Sequence, residues 1–406
     1  MPQFHAAAQQ FSLQGQVLDL RPFGNGNVHD TFLVTVAEVE GLRFTGKAQI
    51  PLNPPLLKGD FKPPFEKRGQ GGFSALAGDT QTSRFILQRL NTRVFNRPER
   101  VMANLRTCTE HLRRRQAQDG SSPGRGLKVP RVLPARDGRD YYIDPEGSFW
   151  RALSFIEAAQ SFETIENPGH AREVGYALGA FHHLLSDLPA GRLADPLPGF
   201  HITPKYLAHY DAVLGRKIAP SSPEGSYGLK FVAARRAWAQ VLEEARARGR
   251  LRLRPIHGDP KVNNVLFDTA TGKAVALVDL DTVKPGLVHY DIGDCLRSGC
   301  NPWGEETEHW EAVRFEPDLG RALLEGYLTR ARGFLTDQDY HYLFDAIRLI
   351  AFELGLRFFT DYLAGNVYFK ARRPEHNLAR ALVQFKLTES IETQETAIRA
   401  FIRDLT

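Results

Sequence analysis

The sequence predicts an α+β protein of two lobes: a smaller lobe with an antiparallel sheet and a helix, and a larger lobe that is mostly helical. Within the first 157 residues, short apolar runs of strand length alternate with turns that contain glycine or proline, which is typical of hairpins. From residue 168 onward, apolar residues recur at three- and four-residue steps, which predicts amphipathic helices. We therefore expect an N-terminal lobe over residues 1–157 and a C-terminal lobe over residues 158–406.

The N-terminal lobe begins with an amphipathic segment at residues 4–13, followed by a predicted strand at residues 16–23. A turn at Gly24, Asn25 and Gly26 then leads into a second strand at residues 32–39. Glycine lets a backbone approach a phosphate closely, and successive N–H groups in such a turn can bind an anion. Most turns of this kind are ordinary hairpin connections, so the turn alone does not establish a nucleotide site.

Residues 41–84 interrupt the lobe with a segment that is dense in proline, glycine and charge and has no helical or strand period. Short units of this composition cannot bury a core, so we expect the insertion to be disordered or a surface excursion. The strand pattern resumes at residues 85–91, which include Gln88 and Arg89. Alternation along a strand sends these two side chains to opposite faces.

The remaining pattern completes both lobes. A helix is predicted at residues 98–116, and strands at 129–133, 140–144 and 149–157. The C-terminal lobe is then predicted to contain helices at residues 170–185, 206–215, 229–248, 317–331, 336–360 and 377–405.

Size, composition and charge exclude several classes of protein. The chain has 406 residues, of which 42% are hydrophobic and 24% charged, as in soluble globular proteins. Cys108, Cys295 and Cys300 form no CxxC pair, which argues against a disulfide framework and structural zinc. The net charge of +5 is small for this length and no groove-reading motif accompanies it, so we predict no nucleic-acid partner. The sequence shows neither a membrane-span run nor a leader pattern, so we expect a cytoplasmic protein without membrane contact.

The stretch at residues 255–294 concentrates carboxylates, amides, a lysine and a histidine on short loops between apolar runs. Two of these runs flank a turn at Gly272, which predicts a hairpin. The hairpin would bring Asp259, Asn264 and Asp279 into one site. Carboxylates and an amide supply the oxygen ligands that Mg²⁺ prefers. The alternative is that the two aspartates are turn and cap residues of an unrelated hairpin.

The motif His257-Gly258-Asp259, with Asn264 five places after the aspartate and Asp279 downstream, resembles the catalytic loop and metal motif of the aminoglycoside phosphotransferase superfamily. That superfamily is related to the protein kinases, so the resemblance implies a protein-kinase-like bilobal fold that uses ATP and Mg²⁺. By the kinase template, Asp259 accepts the proton of the substrate hydroxyl. Asn264 and Asp279 would hold the metal ion.

Four further residues receive roles from this resemblance. Asp281 would orient the metal shell or hold a second ion, and Lys261 would stabilise the transferring phosphoryl group. Phe155 and Glu157 lie where a kinase hinge binds adenine through backbone groups. An ordinary buried strand fits the same hinge residues.

The resemblance also assigns the nucleotide to the N-terminal lobe. The turn at Gly24, Asn25 and Gly26 lies where kinases place a glycine-rich loop over the phosphates. The strand that carries a phosphate-binding lysine in kinases here offers Gln88 or Arg89 instead. A guanidinium can bind phosphate bidentately. Which of the two faces the nucleotide stays open, as does the interpretation of Arg89 as a surface residue.

Several longer segments look like the N-acetylhexosamine 1-kinases, and they span nearly the whole chain apart from the insertion. They lie at residues 24–31, 86–95, 278–291 and 352–363. The implied substrate contacts are His29 and Asp30 in the N-terminal lobe and Arg357, Asp361 and Tyr368 in the C-terminal lobe. The implied reaction transfers the γ-phosphate of ATP to the anomeric hydroxyl of an N-acetylhexosamine, giving a sugar 1-phosphate and ADP.

Two alternatives stay open. The first is a kinase of the same fold for another small hydroxyl compound, such as an aminoglycoside, choline or homoserine. A polycationic aminoglycoside needs an acidic pocket, which Arg357 and Lys370 disfavour. The second is a nucleotide- or sugar-binding regulator without catalysis, which the missing strand lysine suggests and the complete Asp259, Asn264 and Asp279 set opposes. The preferred sugar and the oligomeric state do not follow from the sequence.

Overall fold

The computed structural model describes residues 2–11, 15–24, 28–38, 82–118, 126–216 and 222–406. Most of the insertion, which we expected to be disordered, lies outside the described residues. Asn25 and Gly26 of the predicted nucleotide turn also lie outside them. Residues 82–84, which we assigned to the insertion, belong instead to a strand. Their backbones pair with residues 35–37 of the neighbouring strand, so the pairing extends the strand beyond its apolar run.

A six-stranded antiparallel sheet forms the centre of the N-terminal lobe. Its strands are β1 (Gly15–Pro22), β2 (Asp30–Glu38), β3 (Thr82–Arg89), β4 (Val132–Leu133), β5 (Tyr142–Ile143) and β6 (Phe149–Ser154). Their spatial order is β1-β2-β3-β6-β4, and β5 also pairs with β6. Helix α1 (Pro2–Gln9) covers one face of the sheet around buried Trp150. On the other face, Leu153 joins the large core that includes Leu105 of helix α2 (Pro98–Gln118).

Strand β6 ends at Ser154, so the residues that resemble a kinase hinge leave the sheet instead of extending it to residue 157 as predicted. They lead to β7 (Ala159–Gln160), the edge of a small sheet in the C-terminal lobe. That sheet also contains the predicted hairpin, β9 (Val265–Asp268) and β10 (Ala274–Leu277), which is antiparallel and confirms the expected pairing. Strands β8 (Arg254–Ile256) and β11 (Lys284–Gly286) form a second small ladder.

Helices make up the rest of the described C-terminal lobe. They are α3 (Pro168–Leu185), α4 (Thr203–Leu214), α5 (Pro223–Arg235), α6 (Val241–Ala247), α7 (Val288–Gly299), α8 (Pro317–Ala331), α9 (Asp337–His341), α10 (Leu343–Ala364), α11 (His376–Thr393) and α12 (Glu395–Leu405). Helix α10 is central and packs against α4, α7 and α11. Among the described helices, none combines the length and the apolar character that a membrane crossing requires.

Three predicted helices are each divided in two. The breaks lie between α5 and α6, at Tyr342 and at Gln394. Apolar residues continue at helical spacing across each break, so the sequence pattern does not reveal it. Helix α7 was not predicted, because its buried positions include the charged residues Asp291, Asp294 and Arg297, which hide the apolar period.

Candidate active site

The segment His257-Gly258-Asp259 follows β8, and its three N–H groups are all held by side chains. The carboxylate of buried Asp291 accepts from the N–H of His257 at 2.6 Å and from that of Gly258 at 2.8 Å. The third N–H donates to Nδ1 of the His257 ring at 3.3 Å. Asp291 is itself fixed, because its Oδ2 lies 2.8 Å from Nε2 of His182.

The three carbonyl groups of the same segment also have side-chain partners. The carbonyl of His257 accepts from Oγ1 of Thr282 at 2.8 Å, and the carbonyl of Gly258 accepts from Nε2 of His201 at 2.7 Å. The carbonyl of Asp259 accepts from Nδ2 of Asn264 at 2.8 Å. All six backbone polar groups of the loop are therefore tied to side chains. This arrangement holds a loop in one conformation more firmly than turn geometry alone.

Gly258 is required by this conformation. Its φ of 90° lies in the region that favours glycine, and a Cβ there would come within 2.7 Å of the carbonyl oxygen of Thr282. The neighbouring Asp259 side chain is partly exposed, with its Oδ2 3.1 Å from Nζ of Lys261. Asp259 is the main cause of the raised pKa of Lys261, so the lysine stays protonated beside the carboxylate.

The hairpin brings Asn264 close to Asp279 along the chain, because the N–H of Val278 donates to the carbonyl oxygen of Asn264 at 2.9 Å. Asn264 uses its Nδ2 on the loop carbonyl, which leaves Oδ1 without a hydrogen bond among the described residues. Asp279 follows β10, is accessible to solvent and accepts no hydrogen bond from the described part of the chain. The surrounding protein and the charges of Asp281 and Asp259 raise its pKa. A cation between Asn264 and Asp279 would relieve that repulsion.

Both oxygens of Asp281 accept from protein groups, which argues against its predicted role as a ligand of a second ion; the alternative role, orienting the metal shell, stays a prediction. Its Oδ1 lies 2.5 Å from Nη1 of Arg151, and its Oδ2 lies 2.8 Å from Nη2 of Arg151 and 2.6 Å from Nε2 of His29. Burial alone would raise the pKa of Asp281, but Arg151 and His29 hold it well below the ordinary value. Asp281 is therefore the acceptor of a buried ion pair.

The side chains of His29 and Asp30 are both engaged by protein groups, which gives no support to their predicted contacts with a substrate. The His29 ring is nearly buried, and its Nδ1 accepts from the N–H of Asn91 at 3.0 Å while its Nε2 faces Asp281. Asp30 lies on the opposite face of the sheet, where it forms an exposed ion pair with Arg89 at 2.8 Å. Both side chains thus stabilise the start of β2.

The sheet register places Gln88 and Arg89 on opposite sides of the sheet. Gln88 is directly opposite Arg151 of β6, and its Oε1 accepts from Nε of Arg151 at 2.9 Å. Arg89 faces α1, where it lies over the rings of Phe4 and Trp150. Arg151 is therefore a buried basic side chain on the same side of the sheet as Gln88. No sequence motif marks it, because its position depends on the pairing of β3 with β6.

Of the two predicted hinge residues, Phe155 lies at the end of β1 and Glu157 lies beside β3. The ring of Phe155 meets that of Phe23 edge-to-face at 5.7 Å, next to Gly24, which has a φ of 75°. Oε1 of Glu157 accepts from Nε of Arg84 at 3.0 Å on the exposed surface. The side chain of Glu157 is thus engaged with β3, whereas Phe155 adds apolar area beside the glycine turn.

Arg357 and Tyr368, two of the predicted substrate residues in the C-terminal lobe, have side chains that are not fully engaged by protein groups. The guanidinium of Arg357 lies 5.1 Å from the rings of Phe200 and Tyr206 and 5.4 Å from that of Phe369. Among the described residues it makes no hydrogen bond or ion pair. Burial would lower its pKa, but Tyr206 and Glu353, with smaller contributions from Tyr368 and Asp259, raise that pKa overall. Tyr368, which follows on the α10–α11 loop, is 57% exposed. Arg357 and Tyr368 thus leave polar groups available near the catalytic loop.

Asp361 is buried and has no free oxygen for a ligand, so its predicted substrate contact is corrected. Its Oδ1 accepts from the N–H groups of Val367 and Tyr368 at 2.9 and 2.8 Å. Its Oδ2 accepts from the N–H of Phe369 at 2.9 Å and from Nδ2 of Asn377 at 3.0 Å. Asp361 therefore positions the loop that carries Tyr368.

A sheet lobe and a helical lobe, joined by a short segment and with a rigid aspartate loop between them, define a phosphotransferase of the kinase-like class. A model of the APH phosphotransferase enzyme family matches residues 68–335, and the chain belongs to this family of small-molecule phosphotransferases.

Solved structures confirm the predicted kinase-like fold. An aminoglycoside phosphotransferase from Alicyclobacillus acidocaldarius is 16% identical, with a TM-score of 0.56 over 100% of this chain and 95% of that chain. An amicoumacin kinase in complex with AMP-PNP, Ca²⁺ and its substrate is 14% identical, with a TM-score of 0.56 over 99% of this chain and 96% of that one. A microcompartment-associated aminopropanol kinase is 15% identical, with a TM-score of 0.50 over 97% of both chains.

Proposed function

We propose that this protein is an ATP- and Mg²⁺-dependent kinase that phosphorylates the anomeric hydroxyl of an N-acetylhexosamine. The observation that carries the choice of acceptor is the guanidinium of Arg357, which is bordered by three aromatic rings and has no carboxylate partner among the described residues. Such a group favours neutral acceptors with carbonyl or hydroxyl oxygens and disfavours cations. Aromatic rings suit the apolar face of a sugar or an acetyl methyl group.

The catalytic roles follow from the loop geometry. Asp259 is held by a fully bonded backbone and would orient the acceptor hydroxyl and take its proton. Lys261, protonated beside Asp259, would stabilise charge on the phosphoryl group. Positioning and charge neutralisation account for most of the catalysis in this class of reaction.

Asn264 and Asp279 are the residues that would hold Mg²⁺. The fit rests on the free Oδ1 of Asn264 and on the accessible carboxylate of Asp279, whose pKa is raised first by desolvation and then by the charges of Asp281 and Asp259. In the described part of the chain no cluster of three or more His, Cys, Asp or Glu forms a cage, which suits an ion that binds through few protein ligands and substrate phosphates. When bound, the ion would neutralise charge on the phosphates.

We assign the nucleotide to the lobe of residues 1–157 and the acceptor to the lobe of residues 158–406. Gly24 and Phe155 lie together at the end of β1, where they would border the nucleotide. Arg357 and Tyr368 would border the acceptor on the opposite side of Asp259. The AMP-PNP and Ca²⁺ of the amicoumacin kinase structure support a nucleotide and a divalent ion as ligands of this fold.

The test is a phosphorylation screen with ATP and Mg²⁺ over N-acetylglucosamine, N-acetylgalactosamine, choline, homoserine and kanamycin. We expect ADP and a sugar 1-phosphate from at least one N-acetylhexosamine, with the new phosphate assigned by ³¹P NMR. The methyl glycoside of the same sugar is the control, because its anomeric oxygen is blocked. Turnover of choline, homoserine or kanamycin without turnover of either sugar would refute the proposal, as would equal turnover of the methyl glycoside.

A further inference from the structure

His201 is a buried histidine whose two ring nitrogens both face hydrogen-bond acceptors. Nε2 lies 2.7 Å from the carbonyl oxygen of Gly258, and Nδ1 lies 2.9 Å from Oε1 of Glu353. A carbonyl group and an ionised carboxylate accept hydrogen bonds and cannot donate them. With Glu353 ionised, as its lowered pKa indicates, the ring satisfies both partners only when both nitrogens carry a proton, which makes it an imidazolium.

Charges of both signs surround the pair of His201 and Glu353. Lys284 of β11, whose Nζ donates to the carbonyl of Phe200 at 2.8 Å, and Arg357 of α10 are positive and interact with Glu353.

The carboxylates near His201 favour the charge on its ring. From α10, Glu353 faces the ring with a carboxylate whose other oxygen accepts from Oγ1 of Thr203 at 2.7 Å. From α7, Asp294 contributes a second negative charge, and the ring of Tyr290 stacks on His201 at 5.5 Å. Burial opposes the charge, but Glu353 and Asp294 raise the pKa of His201 overall. The same interaction, against burial, lowers the pKa of Glu353.

The backbone of His201 is strained in a way that aims its ring at the catalytic loop. Its φ is 63°, a left-handed conformation that is unfavourable for a residue with a side chain. Such strain persists only where surrounding contacts fix the conformation. Here the contacts are the two ring hydrogen bonds, a tilted ring contact with Phe200 at 4.0 Å and the stacking on Tyr290.

The same segment connects the loop with the acceptor side. Glu353 and Arg357 are one turn apart on α10, so they lie on one face of the helix. Glu353 holds His201, whereas Arg357 packs over Phe200 and Tyr206 on either side of it in the chain. One turn of α10 therefore positions both the acceptor guanidinium and, through His201, the catalytic loop.

We propose that His201 and Glu353 form an imidazolium–carboxylate pair that fixes the Gly258 carbonyl and so sets the position of Asp259 against the acceptor. Both are positioning residues, and the inference rests on the role proposed above for Asp259. A charge-assisted hydrogen bond to the carbonyl next to the base is stronger and shorter than a neutral one. Loss of the charge should therefore reduce kcat more than it changes the KM for ATP.

The key variant is Glu353→Gln, which keeps an oxygen for Nδ1 and a polar group for Thr203 but removes the negative charge. His201→Gln is the partner variant, because it can still donate one hydrogen bond to Gly258. His289→Gln is the matched control. His289 is also buried and its Nε2 lies 2.9 Å from the backbone carbonyl of Asp339, but its Nδ1 has no partner among the described residues. Melting curves and circular dichroism establish that each variant is folded.

Two measurements test the pair in the full-length enzyme. With N-acetylglucosamine and ATP, we expect kcat of Glu353→Gln to fall about 10- to 100-fold, with the KM for ATP within about twofold of wild type and His289→Gln unaffected. Because the raised pKa of His201 keeps the pair intact until the pH passes that value, activity should be lost at high pH. Without Glu353 that pKa falls, so the alkaline limb should move to lower pH.

The second measurement does not depend on the acceptor. In ¹⁵N-histidine-labelled protein, with the signals assigned by the two histidine variants, His201 should carry protons on both nitrogens at about pH 7 and titrate at lower pH in Glu353→Gln. If N-acetylglucosamine is not a substrate, this titration still tests the pair while the proposed function fails. A neutral His201 ring at about pH 7, or a Glu353→Gln enzyme with wild-type kcat and pH profile, would overturn the proposal.

Discussion

Arg151 and Asp281 form a buried, bidentate ion pair that joins the two lobes of this phosphotransferase. Nη1 and Nη2 of Arg151 lie 2.5 and 2.8 Å from the two carboxylate oxygens, and neither side chain is more than 3% exposed. Gln88 holds the guanidinium from β3, and His29 holds the carboxylate from the start of β2. The lobes are thus connected two residues from Asp279, the proposed metal ligand.

Replacing Arg151 should destabilise the protein strongly. Arg151→Met removes one partner of a buried pair and leaves Asp281 charged without compensation, which we expect to lower the free energy of unfolding by about 3–5 kcal/mol. Urea denaturation monitored by circular dichroism measures this change. The control is Arg89→Met on the opposite face of the sheet, where the partner Asp30 is exposed and the expected loss is about 0–1 kcal/mol. Equal losses in the two variants would contradict the assignment.

Removing the proposed base, Asp259, should slow phosphoryl transfer without weakening nucleotide binding. Asp259→Asn keeps the size of the side chain but cannot take a proton, so we expect turnover to fall by about 10²–10⁴-fold. Calorimetric titration with a non-hydrolysable ATP analogue should show near-normal affinity. Asp268→Asn is a suitable control, because Asp268 is a turn residue of the same hairpin that accepts from Thr271. Near-normal turnover of Asp259→Asn would refute its assignment as the base.

The parts of the site that could be predicted are those set by local sequence. The hairpin at Gly272 follows from alternating apolar runs and a turn, and it is enough to bring Asn264 and Asp279 towards Asp259. The need for glycine at position 258 also depends on adjacent backbone.

The parts that could not be predicted depend on which strands pair and which faces are buried. Asp279 and Asp281 are alike in sequence, and what separates them is that Arg151, more than a hundred residues away, covers Asp281. Arg151 itself is a lone charge within an apolar strand, and only the β3–β6 register places it opposite Gln88. His201 joins the site from a loop without any motif. Each of these contacts joins residues that are far apart in the sequence, so no local sequence pattern predicts it.

Arg357 should govern affinity for the acceptor. In Arg357→Gln the positive charge between the aromatic rings is lost, and we expect the KM for the acceptor to rise about 10- to 100-fold while the KM for ATP stays unchanged. Arg348→Gln is the control on the same helix, since Arg348 pairs with Asp345 and stacks on Trp238. A rise in the KM for ATP of equal size would place Arg357 on the nucleotide side instead.

Asp361 should act on the acceptor indirectly, through the loop that carries Tyr368. Its two oxygens accept four hydrogen bonds, three of them from consecutive backbone N–H groups at residues 367–369. In Asp361→Asn one oxygen becomes an amide that faces donors, so at least one pair of N–H groups loses its acceptor. A buried donor without a partner costs about 1–3 kcal/mol, and thermal or urea unfolding should show a loss of that order.

The loop variant should also change kinetics in a way that ordinary destabilisation does not. Well below its melting temperature, we expect Asp361→Asn to raise the KM for the acceptor about 3- to 10-fold, because Tyr368 and Phe369, which packs beside Arg357, are no longer held. Asp345→Asn is the control, since Asp345 lies on α10 and pairs with Arg348. If Asp361→Asn is as destabilised as expected yet keeps the wild-type KM for the acceptor, the loop of Tyr368 does not contribute to the acceptor site.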